Sequence, residues 1–187
     1  DSAWGYWVGR WTAEENRHGI AMRDYLVVTR GVDPVALEQA RMLHMTSGYS
    51  PELTAGDRID EFTTPTGQMG ILRSVAYVTF QELATRVSHR NTGKVCNDPV
   101  ADKLLQRVSA DENLHMIFYR NIIQAALELT PNQTMRAITD EVVNFQMPGA
   151  IIPGFGRKAV QMAMAGIYDL RIHHDDIVQP LLRQWGI

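Results

Sequence analysis

Apolar residues recur along this chain at steps of three and four, the period of one helix face. In the opening segment Trp4, Val8, Trp11, Glu15, His18, Met22 and Tyr25 share such a face, and Gly31 reads as its C-terminal cap. Asp33-Pro34 has the form of an N-cap followed by a first helical residue, and starts a helix expected to end near Gly48. Residues 49–67 are rich in Pro, Gly, Thr and Asp and read as a connection. A long helix is expected from Gly70 to about Arg90, with Val75, Val78, Glu82, Thr85 and His89 on one face. Asp98-Pro99 opens another, with Leu105, Val108, Glu112, His115, Tyr119 and Ile122 in register. Thr130-Pro131 starts a fourth long helix, expected to reach about Met147. Pro148, Gly149, Pro153 and Gly154 break the chain, and two short helices are expected near 157–166 and 174–185. Strand-type alternation is scarce, so the pattern predicts an all-α helical bundle, a single domain over residues 1–187.

Several of these seams carry the wrong residues. Glu15, His18, Glu82, Glu112 and His115 stand where the period asks for Leu or Val. A buried, isolated carboxylate is costly, and several facing one another repel. No Lys or Arg shares the stripes, so a metal ion is the simplest counter-charge. The same composition recurs as a motif: EENRH at 14–18 and DENLH at 111–115, each an acidic residue, Glu, Asn, any residue, His. On a helix Glu15/His18 and Glu112/His115 are i, i+3 pairs projecting from one face. Glu and His suit iron or manganese. Helical bundles with a dinuclear carboxylate centre take Glu-x-x-His from two helices and a single Glu from each of two others. Here Glu82 is a single Glu on a third helix. Two ferrous ions ask for a fourth carboxylate. Together with an opening that lies inside a helical pattern, this leads to the expectation of an upstream helix carrying that Glu. Without it the chain is expected to bind metal weakly or not at all.

Composition narrows the classes around that centre. The net charge of −3 gives no electrostatic case for nucleic acid. No apolar run is long enough for a membrane span. Cys96 is the only cysteine, which excludes an intramolecular disulfide and suits a reducing cytoplasm.

Other polar features have plainer readings. Thr12-x-x-Glu15 matches a capping box, but the unbroken stripe from Trp4 argues against a helix start there. His89 reads as a hydrogen-bonded core histidine beside the site, and His44 as a partly exposed helix residue. His173-His174-Asp175-Asp176 reads as a solvated helix start, because adjacent helical residues point in different directions. Gly154-Phe155-Gly156 before Arg157-Lys158 is a weak phosphate-cradle signal.

The stretches WTAEENRHG (11–19), TFQELAT with SHRNTG (79–93) and SADENLH (109–115) resemble the soluble acyl-acyl-carrier-protein desaturase family. YLVVTRGVDP and SHRNTGKVCNDPVAD are most similar to its mycobacterial branch. The resemblance implies a ferritin-like di-iron helical bundle that inserts a cis double bond into an acyl chain on acyl carrier protein. It implies molecular oxygen, two electrons from a donor such as ferredoxin, and a homodimer. By motif position Glu15 and Glu112 would bridge two iron ions, His18 would bind one and His115 the other, and Glu82 would be a terminal ligand beside His115. Thr85 would lie on the oxygen-binding side, and Asp111 would orient a ligand histidine. Arg90, Lys94, Lys103 and Arg107 are candidate contacts for the acidic carrier. A di-iron monooxygenase or hydroxylase, or a ferritin-like metal-binding protein without catalysis, are the alternatives that shared ligands leave open.

Overall fold

Proline and the residue before it set most of the helix starts. In the computed structural model, which describes residues 2–47, 65–146 and 152–187 (side chains up to 43 and again from 70), Ser2 caps α1, Ala3–Val28. Asp33 caps α2, Pro34–Ser47, by accepting from the amides of Val35 and Ala36. Asp98 caps α4, Pro99–Leu129, by accepting from Val100 and Ala101. These carboxylates satisfy amides that a helix start leaves without partners. Thr130 precedes α5, Pro131–Asn144. The long helix α3 runs Pro65–Val95 and so begins before the expected Gly70. Pro65 sits at its first position, where proline costs no hydrogen bond. The reading of 49–67 as connection fails for its last residues, and the remainder lies outside the described residues, as do the end of α2 near Gly48 and the side chain of His44. α5 ends at Asn144, short of Met147.

Two other ends differ from expectation. α1 closes with Gly31 N–H bonded to Leu26 O and Arg30 N–H to Val27 O. This is a Schellman ending, but Arg30 (φ 57°) takes the left-handed position and Gly31 follows it. The C-terminal segment comprises α6 (Phe155–Met164), a short α7 (Leu170–Ile172), a π-helical turn (His173–Val178) and α8 (Gln179–Trp185). Its cap is Asp169, which accepts from Ile172 N–H. His173 is therefore internal to a helical segment and not a solvated start. It stacks on Phe145 with centroids 4.5 Å apart and bonds Tyr168 through Nδ1 at 2.7 Å. His174, Asp175 and Asp176 are exposed as expected.

No strand occurs among the described residues. No helix among them is long and apolar enough to cross a membrane. α3 and α4 form the most extensive pair, with α5 and the C-terminal segment closing over them and α1 lying on α4. Val75, Phe80, Leu83, Met116, Tyr119, Ile123, Ile138, Leu181 and Trp185 make the apolar core. The site lies beside this core, between α1, α3 and α4.

Where α3 meets α4 the backbones approach closely at Gly93. A β-carbon there would stand 2.8 Å from Asp102 Oδ1 and 3.2 Å from Asp102 Cα. Asp102 is also the partner of Arg90 at 2.9 Å. Gly93→Val is therefore expected to destabilise the chain by about 1–3 kcal/mol through overpacking. A urea midpoint unchanged from the wild type would show that the helices separate there without cost.

Candidate metal centre

The seam of α1 that meets α4 is rotated from the one the period suggests. Trp7 lies flat on Phe118 with centroids 3.8 Å apart, and its Nε1 donates to Tyr119 Oη at 3.2 Å. Trp11 meets the Tyr119 ring edge-on at 5.5 Å. The inward line is thus Trp7, Trp11, Glu14, His18, where Val8 and Glu15 were expected on the centre of the face. The Glu14 side chain is accordingly 17% exposed and that of Glu15 39%. Glu15 is a half-exposed residue, which corrects its placement on a buried seam. The seam reading holds for His18, Glu82, Glu112 and His115, all of which are buried.

Despite this rotation all five residues converge. Glu15 Oε1 lies 3.1 Å from His115 Nδ1, while Glu15 Oε2 lies 3.9 Å from His18 Nδ1. Glu112 repeats the pattern: Oε2 is 3.8 Å from His115 Nδ1 and Oε1 is 3.3 Å from His18 Nδ1. Each of these two carboxylates therefore offers one oxygen to each histidine. Glu82 Oε2 faces only His115 Nδ1, at 3.3 Å, and its other oxygen accepts from Trp11 Nε1 at 3.0 Å. Thr85 Oγ1, bonded to the carbonyls of Gln81 and Glu82, also lies 3.3 Å from Glu112 Oε2. His89 Nε2 stands 3.8 Å from Glu112 Oε1 and outside hydrogen-bond range, so its predicted hydrogen bond is not formed with that group.

The far nitrogens of the two ligand-type histidines are held crosswise. His18, of the first motif, uses Nε2 to reach Asp111 Oδ2 of the second at 3.0 Å. His115, of the second, uses Nε2 to reach Glu14 Oε2 of the first at 2.9 Å. An ionised carboxylate only accepts, so each Nε2 carries a proton and each Nδ1 is turned to the centre. Asp111 is thus the hydrogen-bonding partner of His18. The reading of the sequence missed Glu14, although the shared first acidic position of EENRH and DENLH was a signal for it.

Such crowding of acceptors around one nitrogen needs positive charge. His115 Nδ1 faces oxygens of three carboxylates, yet it can serve one hydrogen bond. Glu15 Oε1 and His18 Nδ1 are buried with no hydrogen-bond partner, a costly condition for polar atoms. One ligand atom each from Glu15, Glu82, Glu112 and His115 lies within 4.8 Å of the others, so the cluster could hold a metal. Without one, protons do part of that work. Burial, then the neighbouring Glu112 and Glu15 charges, raise Glu82 to about 8. Burial alone would lower His115, but the carboxylates of Glu112, Glu15, Glu82 and Glu14 override it and hold the imidazole up to about 12. Burial pushes Glu112 up as well, and its hydrogen bonds, led by His115 and His18, outweigh that and keep it well below the usual carboxylate range. The donors are hard-to-borderline oxygens and imidazoles, and the two unpaired atoms point among them; the residues fit a divalent metal.

The match to known proteins decides the family. The family described as fatty acid desaturase matches residues 1–187, the whole chain. The chain belongs to the fatty acid desaturase family. DesA1 of Mycobacterium tuberculosis, named as an acyl-[acyl-carrier-protein] desaturase, is 57% identical over 188 residues, which cover 100% of this chain and 53% of that protein. Stearoyl-[acyl-carrier-protein] 9-desaturase 6 of Arabidopsis thaliana is 35% identical over 143 residues, covering 75% of this chain and 33% of that protein. An X-ray structure of the acyl-ACP desaturase DesA2 from Mycobacterium tuberculosis aligns with a TM-score of 0.78 at 31% identity, covering 98% of this chain and 65% of the other. The chain spans about half the length of the curated relative DesA1, at 53%. The expected all-α, ferritin-like bundle and the expected desaturase resemblance are both borne out.

Proposed function

We propose that this fatty acid desaturase chain forms the di-iron half of an acyl-[acyl-carrier-protein] desaturase. The observation that carries this is the pair of carboxylates, Glu15 and Glu112, each turned with one oxygen toward His18 and one toward His115. In this reading Glu15 and Glu112 would serve both of two iron ions, His18 one of them, and His115 and Glu82 the other. Bound iron would supply the dioxygen chemistry needed to oxidise an unactivated methylene. Glu82 and His115 are both almost wholly buried. Thr85 presents a hydroxyl beside the shared carboxylate Glu112. Two ferrous ions would call for one carboxylate more than these three supply. Glu14 does not serve, because it stands on the far, Nε2 side of the His115 ring.

The relatives' names point to an acyl chain on acyl carrier protein as substrate. A one-electron donor such as ferredoxin and a homodimeric assembly belong to the same reading. Of the candidate carrier contacts, Lys94, Lys103 and Arg107 are exposed, whereas Arg90 is already paired with Asp102. The test is product analysis. The whole protein that contains this chain, loaded with iron and supplied with reductant, oxygen and stearoyl-carrier protein, is expected to give a cis alkene. An alcohol would identify a hydroxylase instead, and iron uptake with no product a metal-storage role.

A further inference from the structure

The crosswise bonds extend outward to the surface in the same form on both sides. Arg17, exposed, donates to Asp111 Oδ2 at 2.9 Å, and Asp111 holds His18. Arg10, one helical heptad earlier on α1 and equally exposed, donates to Glu14 Oε1 at 3.2 Å, and Glu14 holds His115. Both arginines come from α1, whereas the histidines they serve lie on α1 and α4.

We infer that Glu14, anchored by Arg10, is the positioning residue of His115, so that each EENRH-type motif orients the histidine of the other. This rests on the di-iron reading above and adds to it a residue without any predicted role. The physical reason is geometric. A histidine on α4 and a carboxylate on α1 are brought to 2.9 Å only if the helices are in register, and the reverse pair at 3.0 Å fixes the same register. Damage to one motif's acidic residue therefore appears at the opposite motif's histidine. A carboxylate that merely solubilised α1 would have no such reach. A hydrogen bond to the non-ligating nitrogen fixes ring orientation and raises ligand basicity, and its removal typically costs about 10–100-fold in metal affinity.

The experiment uses the whole protein that contains this chain, with 15N-labelled histidine, first metal-free and then with cobalt(II). In the metal-free wild type, NMR is expected to show slowly exchanging imidazole Nε2–H protons for both His18 and His115. Glu14→Ala should abolish that of His115 and leave that of His18; Asp111→Ala should do the reverse. Glu14→Gln, whose amide oxygen can still accept, should restore protection in part. Cobalt(II) affinity should fall about 10–100-fold in Glu14→Ala. A wild-type His115 Nε2–H that exchanges freely, or a Glu14→Ala change that falls on His18, would overturn the crosswise assignment. Protected protons with no cobalt bound would leave the pairing standing and overturn the metal reading.

Discussion

Replacing Glu112 by alanine is expected to eliminate dinuclear metal binding, with apparent affinity lost by more than the ~100-fold that an outer hydrogen-bonding partner is worth. Glu112 is buried and central: its oxygens face both His18 and His115, and Thr85 and His89 lie against it. Alanine removes a carboxylate held well below the usual range, and with it the proposed shared ligand of both ions. The helix itself should persist, since alanine is the best helix former. His174→Ala is the control. His174 is exposed and bonded to its neighbour Asp175 at 2.7 Å, in the stretch most metal-like by composition. Iron content, measured on purified variants of the whole protein that contains this chain with matched circular dichroism, separates the two. Equal loss in both variants, or an unaltered stoichiometry in Glu112→Ala, would mean that the cluster around His115 is not where metal binds.

Metal binding at neutral pH is expected to release protons, and to reverse the pH dependence of stability. Glu82, raised to about 8, and His115, held up to about 12, both carry a proton at pH 7 in the metal-free chain. A metal ion takes the place of those protons. Both groups have folded-state values above their unfolded ones of 4.5 and 6.5, so the folded chain binds more protons than the unfolded one. The stability this contributes is fully present below the unfolded values. It is lost as pH rises, for Glu82 through about 8 and for His115 through about 12. Between pH 6.5 and 8 the melting temperature of the metal-free chain should therefore fall with rising pH, while saturating metal should make it rise. Proton release is read in weakly buffered solution on adding ferrous or cobalt(II) salt. Uptake of metal without acidification, or parallel slopes with and without metal, would show that Glu82 and His115 do not share the ion's place.

Helix starts were legible where a Thr-Pro or Asp-Pro pair led into an apolar stripe. Asp33-Pro34 and Asp98-Pro99 begin helices through side-chain caps, and Thr130-Pro131 begins one through the proline alone, local chemistry that needs no tertiary partner. The start of α3 at Pro65 was not legible, because its first turn is polar and carries no apolar stripe. The ending of α1 misled for a related reason: a glycine was present, but Arg30 one residue earlier took the left-handed turn. The histidine-rich stretch 173–176 looked like a start because composition does not reveal that Asp169 already caps the helix.

The sequence by itself determined the fold class and the candidate residues. Helical period, proline-led starts and the doubled acidic-Glu-Asn-x-His motif are local properties, and they name Glu15, His18, Glu82, Glu112 and His115 without reference to any neighbour. The tertiary structure alone decided which oxygen faces which nitrogen. Trp7 on Phe118 and Trp11 on Tyr119 set the rotation of α1. That rotation brings Glu14 inward and leaves Glu15 at the edge, a difference of about 100° around the helix between adjacent residues. Periodicity places residues on a face to within about one position. The partner of a particular nitrogen depends on a smaller angle than that, and the packing of aromatic rings between two helices supplies it.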